Sequence, residues 1–152
     1  MIYDKSTTFA EGVALNTVDT NLHNVGDVID LTNLRNIGSG LPPLYLVIVV
    51  LAAITSGGAA TVQFSLVSSG QNPPPTDGSA NLHWLSAAIA KATLVAGYPI
   101  IVPIPQENPP YLEFLGLQAQ AGTNALTAGT ISAFLTTDPS NWKSYPAAVY
   151  YN

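Results

Sequence analysis

Between Leu44 and Ile54 the sequence runs LYLVIVVLAAI, eleven residues without a charge. A membrane-spanning helix needs about 20 such residues, so the run is too short to cross a bilayer. It is dense in β-branched side chains and sits between Pro42-Pro43 and Thr55-Ser-Gly-Gly, which marks a buried strand over Tyr45 to Leu51. Both alternating sets are apolar: Leu46, Ile48 and Val50 on one side, Tyr45, Val47, Val49 and Leu51 on the other. An antiparallel strand ordinarily shows one polar face to water. The second face of this one needs a cover, either the chain's own arms and loops or another subunit.

Other segments carry the same two-residue period. Ala60 to Ser68 alternates Val62, Phe64 and Leu66 with Thr61, Gln63 and Ser65, a half-buried strand expected to form a hairpin with its predecessor through Gly57-Gly58. Ser69 to Ser79 contains Pro73-Pro74-Pro75 between Gly, Asn and Asp and reads as a surface loop. Pro99 to Pro105 (PIIVPIP) is strand-forming but proline-bearing, which confines it to a sheet edge. Tyr111 to Gln120 and Gly129 to Thr137 are further strands, and Val25 to Leu31 a weaker one. Leu82 to Val95 is ambiguous, since Leu82, Leu85 and Ile89 have helical spacing; an extended segment is expected, with a helix as the alternative. Seven or eight strands at short spacing imply an all-β, jelly-roll-like β-sandwich. Residues 25–137 form that domain, with extended arms at 1–24 and 138–152.

Charge excludes several functions. Lys5, Arg35, Lys91 and Lys143 are scattered in a chain of net charge -5, whereas nucleic-acid affinity rests on clustered cations. Charged residues make up 9% of the chain, against about 25% in an ordinary domain. Its surface must therefore expose amides, hydroxyls and apolar groups, which suits lasting contact with a partner. There is no cysteine, so no disulfide framework and no thiolate chemistry. The start, Met1-Ile-Tyr-Asp-Lys-Ser, lacks the basic and apolar regions of a secretory signal.

Catalytic material is thin. His23 and His83 are far apart and lack a carboxylate neighbour in sequence, and Gly38-Ser-Gly40 and Gly57-Gly58 lack the lysine and helix of a phosphate loop. Among nine carboxylates only Glu113 falls within one of the strongly marked strands, and one acid is not a pair. No metal-ligand spacing occurs, so neither enzyme activity nor a cofactor or metal is expected. Tyr45, Tyr98 and Tyr111 read as core or edge packing. The ends are different: Ile2 and Tyr3, and a tail with Trp142, Tyr145, Tyr150 and Tyr151, hold aromatic and apolar area suited to a protein interface.

A resemblance adds to this reading. Met1-Ile-Tyr-Asp-Lys, Val28-Ile-Asp-Leu31, Arg35-Asn-Ile-Gly38, Pro43-Leu-Tyr-Leu46, Lys91-Ala-Thr-Leu-Val-Ala-Gly97, Tyr111-Leu, Ala133-Phe-Leu-Thr-Thr-Asp138 and Tyr145-Pro146 occur in this order along the chain. In them it resembles the small capsid cement, or decoration, proteins of podovirus-type tailed phages. The resemblance implies a jelly roll that assembles as a homodimer, binds the major capsid protein on the outer surface of the virion, and reinforces contacts between capsid subunits. It also implies a β segment over Lys91 to Gly97. The Pro73-Pro74-Pro75 loop and the aromatic tail depart from that pattern. The rival is a carbohydrate-binding β-sandwich of a phage spike or receptor-binding head.

The strand placement makes a prediction. Ile48→Asp buries an unpaired carboxylate at a cost of several kcal/mol, comparable with a whole domain stability of about 5–15 kcal/mol, and should abolish folding. Glu113→Gln should leave the thermal melt almost unchanged; the reverse ranking would contradict the placement.

Overall fold

The computed structural model of the chain describes residues 5–32, 37, 43–105 and 109–139. A 3-10 turn at Lys5–Thr7 leads into strands β1 (Thr8–Ala14), β2 (His23–Asn24), β3 (Ile29–Asp30), β4 (Tyr45–Ser56), β5 (Thr61–Ser69), β6 (Asn81–Leu85), β7 (Ile89–Ala90), β8 (Pro99–Pro103), β9 (Phe114–Gly122) and β10 (Leu126–Thr136). One sheet has the order β1-β10-β4-β8. The second has β2-β9-β5-β6, with β3 also on β9 and β7 also on β5. All pairings are antiparallel. With β2/β3 and β6/β7 each taken as one interrupted strand, this is the eight-stranded, two-sheet order of a jelly roll.

Strand alternation builds the core. Leu46, Ile48 and Val50 of β4 and Ile131, Ala133 and Leu135 of β10 meet Val62, Phe64 and Leu66 of β5 and Leu115, Leu117 and Ala119 of β9 in one buried cluster. Each large side chain buried there contributes roughly 1.5–3 kcal/mol. The other side of β4 is buried too: Val47 and Val49 are 0% exposed and pack with Phe134 of β10 in a second cluster. That burial exists in a single copy of the chain, so the second face supplies no ground for a dimer.

Several expectations need correction. β4 and β5 form no hairpin: β4 pairs with β10 and β8, while β5 lies in the other sheet. Gly57 to Ala60 turn a corner between sheets, as do the residues between β9 and β10. The two corners are stapled side by side, with the Asn124 side-chain amide donating to the Ala59 carbonyl at 2.7 Å and the Ser56 hydroxyl to the Ala125 carbonyl at 2.8 Å. Nor is all of 1–24 an arm. β1 pairs with β10, and Phe9, Leu15 and Val18 are core residues at 0–2% exposure. Lys91 to Gly97 holds turns rather than a β segment, and Glu113 immediately precedes β9.

The stretch from Leu82 is extended, and its helical spacing has a different origin. A register shift in the β5–β6 ladder between Leu66 and Val67 puts Leu82 and Leu85, three residues apart, on the same exposed face, while Trp84 packs against the core. β8 is an edge strand, as its prolines require. The Val50 and Ile104 amides bond to the Tyr98 and Leu44 carbonyls, so the even positions of β8 face β4. Pro99, Pro103 and Pro105 fall on odd positions, where the missing N–H would have pointed out of the sheet; they cost no ladder bond and blunt this edge against pairing.

Val25 to Leu31 is broken at Gly26, where the chain leaves β9 and the Asp27 amide bonds to the Phe9 carbonyl at 2.6 Å. This is a stitch between the two sheets. Gly26 has φ +73°, and a Cβ there would lie 2.0 Å from the Phe9 oxygen. Gly26→Ala should therefore cost about 3 kcal/mol or more, a fall in Tm of roughly 6–12 °C. Gly57 has nothing within 4 Å of such a Cβ, and Gly57→Ala should stay within about 0.5 kcal/mol of wild type. Equal melts for the two variants would contradict the stitch.

Candidate functional site

The sequence points first to the two ends, and Ile2, Tyr3, Trp142, Tyr145, Tyr150 and Tyr151 all lie outside the described residues. Tyr111 is 2% exposed, with its hydroxyl on the Pro105 carbonyl at 2.8 Å, and Tyr98 packs against the core. Those tyrosines are structural.

The acidic residues serve turns. Asp30 accepts the Thr32 amide at 2.8 Å and Asp77 the Ser79 amide at 2.9 Å. Asp19 accepts the Asn21 amide at 2.7 Å and lies 2.9 Å from His23 Nε2. That backbone bond, more than the histidine, holds the Asp19 carboxyl below its usual range. Lys5, Asp27 and Asp30 share a hollow of about 650 Å³ with Asn72 and Pro73 at the rim of the sandwich. Among the described residues no group of three or more His, Cys, Asp or Glu is placed to hold a metal ion.

One pair has the spacing of a nucleophile and its base. His83 Nε2 lies 2.7 Å from the Ser68 hydroxyl, a neighbour that a separation of 15 positions hides from sequence reading. Ser68 is 0% exposed and already accepts the Leu112 amide at 2.9 Å, which leaves its own proton for Nε2. His83 also stacks on Tyr111, ring centroids 3.8 Å apart. A serine with no access to substrate attacks nothing; the pair ties β5, β6 and the approach to β9 together.

What the fold does present is apolar side chains on a surface poor in charge. Leu51 and Ile101 stand 46% and 44% exposed on the outer side of the sheet containing β4, and Leu82 and Leu85 47% and 51% exposed on the outer side of the other. Val95 projects from the turns between β7 and β8, 51% exposed. Beside Leu82 and Leu85 runs a groove of about 220 Å³, with Leu22 also on its wall and Gln63, Ser65, Val67, Gln118 and Gln120 along its bed. The proline loop closes one end: Gln118 Nε2 donates to the Pro75 carbonyl at 3.0 Å and Asn24 Nδ2 to the Pro74 carbonyl at 2.8 Å. Pro74 sits over Gly116, where a Cβ would come within 2.9 Å of its ring. The sequence signal for this groove was the polar half of β5 together with Gln118 and Gln120, which alternation alone assigns to solvent.

A family model described as Bbp16 matches residues 10–135, from within β1 to within β10. No curated protein matches the chain.

The His83 site predicts a pH dependence. Burial pushes the His83 pKa down from 6.5 to about 4, so the folded chain keeps the ring neutral while the unfolded chain protonates it near 6.5. Between these values the unfolded state binds more protons, and stability falls as pH drops from about 6.5 toward 4. The ring is only half-buried, and solvent screening limits the effect to a few degrees of Tm. His83→Gln should flatten the slope in this window; an unchanged slope would contradict the assignment. The lowered carboxyls of Asp19 and Asp77 act at lower pH.

Proposed function

The chain belongs to the Bbp16 family, and we propose that it is a structural virion protein that binds the outside of an icosahedral phage capsid and stabilises contacts between major capsid subunits. The observation that carries this reading is the exposure of Leu51 and Ile101 on the charge-poor surface of a chain whose core is already packed without them. Exposed apolar side chains on the outside of a finished sandwich stabilise nothing in the isolated molecule and favour association. Apolar burial contributes roughly 25 cal/mol per Å². A modest patch repeated over every copy on a shell therefore adds substantially to its resistance to pressure. The partners under this proposal are the major capsid protein and a second copy of the chain, and the site is the outer capsid surface.

Co-sedimentation with shells stripped of the protein tests the reading. Wild-type chain should pellet with them. Leu51→Asp and Ile101→Asp, both on exposed positions, should melt within about 1 kcal/mol of wild type yet bind at least tenfold more weakly, the effect of losing about 1.4 kcal/mol at an interface anchor. Failure of the wild-type chain to pellet would overturn the function. Undiminished binding by both variants would move the interface away from this face, and deletion of residues 142–152 would then measure the share of the aromatic tail.

A further inference from the structure

The groove beside β6 is built in a way that packing alone does not require. Its bed lies along two cross-strand rows, Gln63 opposite Gln120 and Ser65 opposite Gln118. Ser65 and Gln118 are only 3% and 1% exposed. Polar groups this deep are normally paired, because an unpaired one costs free energy.

Each amide nitrogen donates to a backbone carbonyl, which fixes how the side chain is turned, and that of Gln118 donates also to Asn24 Oδ1 at 3.1 Å. Gln63 Nε2 donates to Ser86 at 3.2 Å, Gln118 Nε2 to Pro75 at 3.0 Å, and Gln120 Nε2 to Thr20 at 2.6 Å. The three amide oxygens are then left over. Among the described residues none donates to them and none bonds the Ser65 hydroxyl, and no unpaired side-chain oxygen is wholly enclosed, so these atoms open on the groove. The nitrogens of Gln63 and Gln120 each keep one further N–H. The groove thus offers uncharged acceptors and donors together, held in fixed orientation, between apolar walls of Leu22, Leu82 and Leu85.

We propose that this groove binds a neutral, hydroxyl-rich ring: one unsubstituted sugar residue of a glycan. A hydroxyl both donates and accepts, which answers mixed amide functionality, whereas a guanidinium or ammonium only donates and a carboxylate or phosphate only accepts. No charged side chain lines the groove to neutralise an ionic ligand. Cross-strand neighbours on one face lie about 4.5–5.5 Å apart, so the two rows span a patch the width of a single ring. Its volume of about 220 Å³ is below the roughly 300–1,000 Å³ of sites for larger ligands. The leucine walls suit the C–H faces of a ring, and the fixed amides keep the ordering cost of binding low. The site is independent of capsid attachment, since Leu51 and Ile101 belong to the other sheet.

Isotope-labelled full-length chain, titrated with the methyl glycosides of glucose, galactose and N-acetylglucosamine, tests the site by the side-chain amide resonances of Gln63 and Gln120. At least one glycoside should shift both resonances saturably, with a Kd of about 1–10 mM. Gln63→Leu and Gln120→Leu, each confirmed folded by its melt, should each weaken that binding about tenfold or more. Sialyllactose, which carries a carboxylate, should bind no more tightly than the neutral probes. The proposal is overturned by no saturable shift up to roughly 50 mM, by shifts confined to other residues, by unchanged affinity in both variants, or by preference for the charged probe. If instead stripped shells displace the amide resonances while no glycoside does, the groove is a protein contact and the sugar assignment fails.

Discussion

A strand buried on both sides organises this molecule. Leu46 to Val50 is at most 1% exposed, which forces β4 into the interior of its sheet and demands a layer on either side of it. The inward layer is the second sheet, reached through Leu46, Ile48 and Val50; on the outward face Val47 and Val49 are buried in a cluster with Phe134, their neighbour on β10. With β4 central, β8 becomes an edge, and its odd-position prolines make that edge safe from pairing. Chain connectivity follows as well, because corners such as that at Gly57 to Ala60 carry the chain between sheets instead of closing a hairpin.

Much of this was legible in the sequence, and the misreadings have physical causes. The two-sided strand, the edge strand with prolines and the proline loop are local patterns, and they read correctly. The β4–β5 hairpin did not, because a short glycine turn looks the same whether the next strand pairs back or crosses to the facing sheet. β1 looks like part of an arm in the sequence because Gly12 and shifts in register after Thr8 and Ala10 scramble the alternation that would mark it. The leucine spacing at 82 and 85 imitates a helix because a bulge adds one residue to a period of two.

The surface was harder to read than the core. Residues whose chemistry drew attention, the histidines and carboxylates, turn out to serve structure: Ser68 and His83 tie strands together, and Asp19, Asp30 and Asp77 fix turns. Sequence alone does not mark the groove of glutamines, because amides on alternate strand positions look like ordinary solvent-facing residues until the ladder brings Gln63 opposite Gln120. The two proposed activities use opposite sheets, with Leu51 and Ile101 on one and the groove on the other. A copy seated on a shell by the first face would carry the second outward.

Reinforcement of the shell is the central claim, and it is measured most directly by the temperature at which virions release their genome. Particles stripped of this chain should release it at a lower temperature than complete ones, and adding purified chain back should restore the original value. Identical release temperatures with and without the chain would contradict the claim.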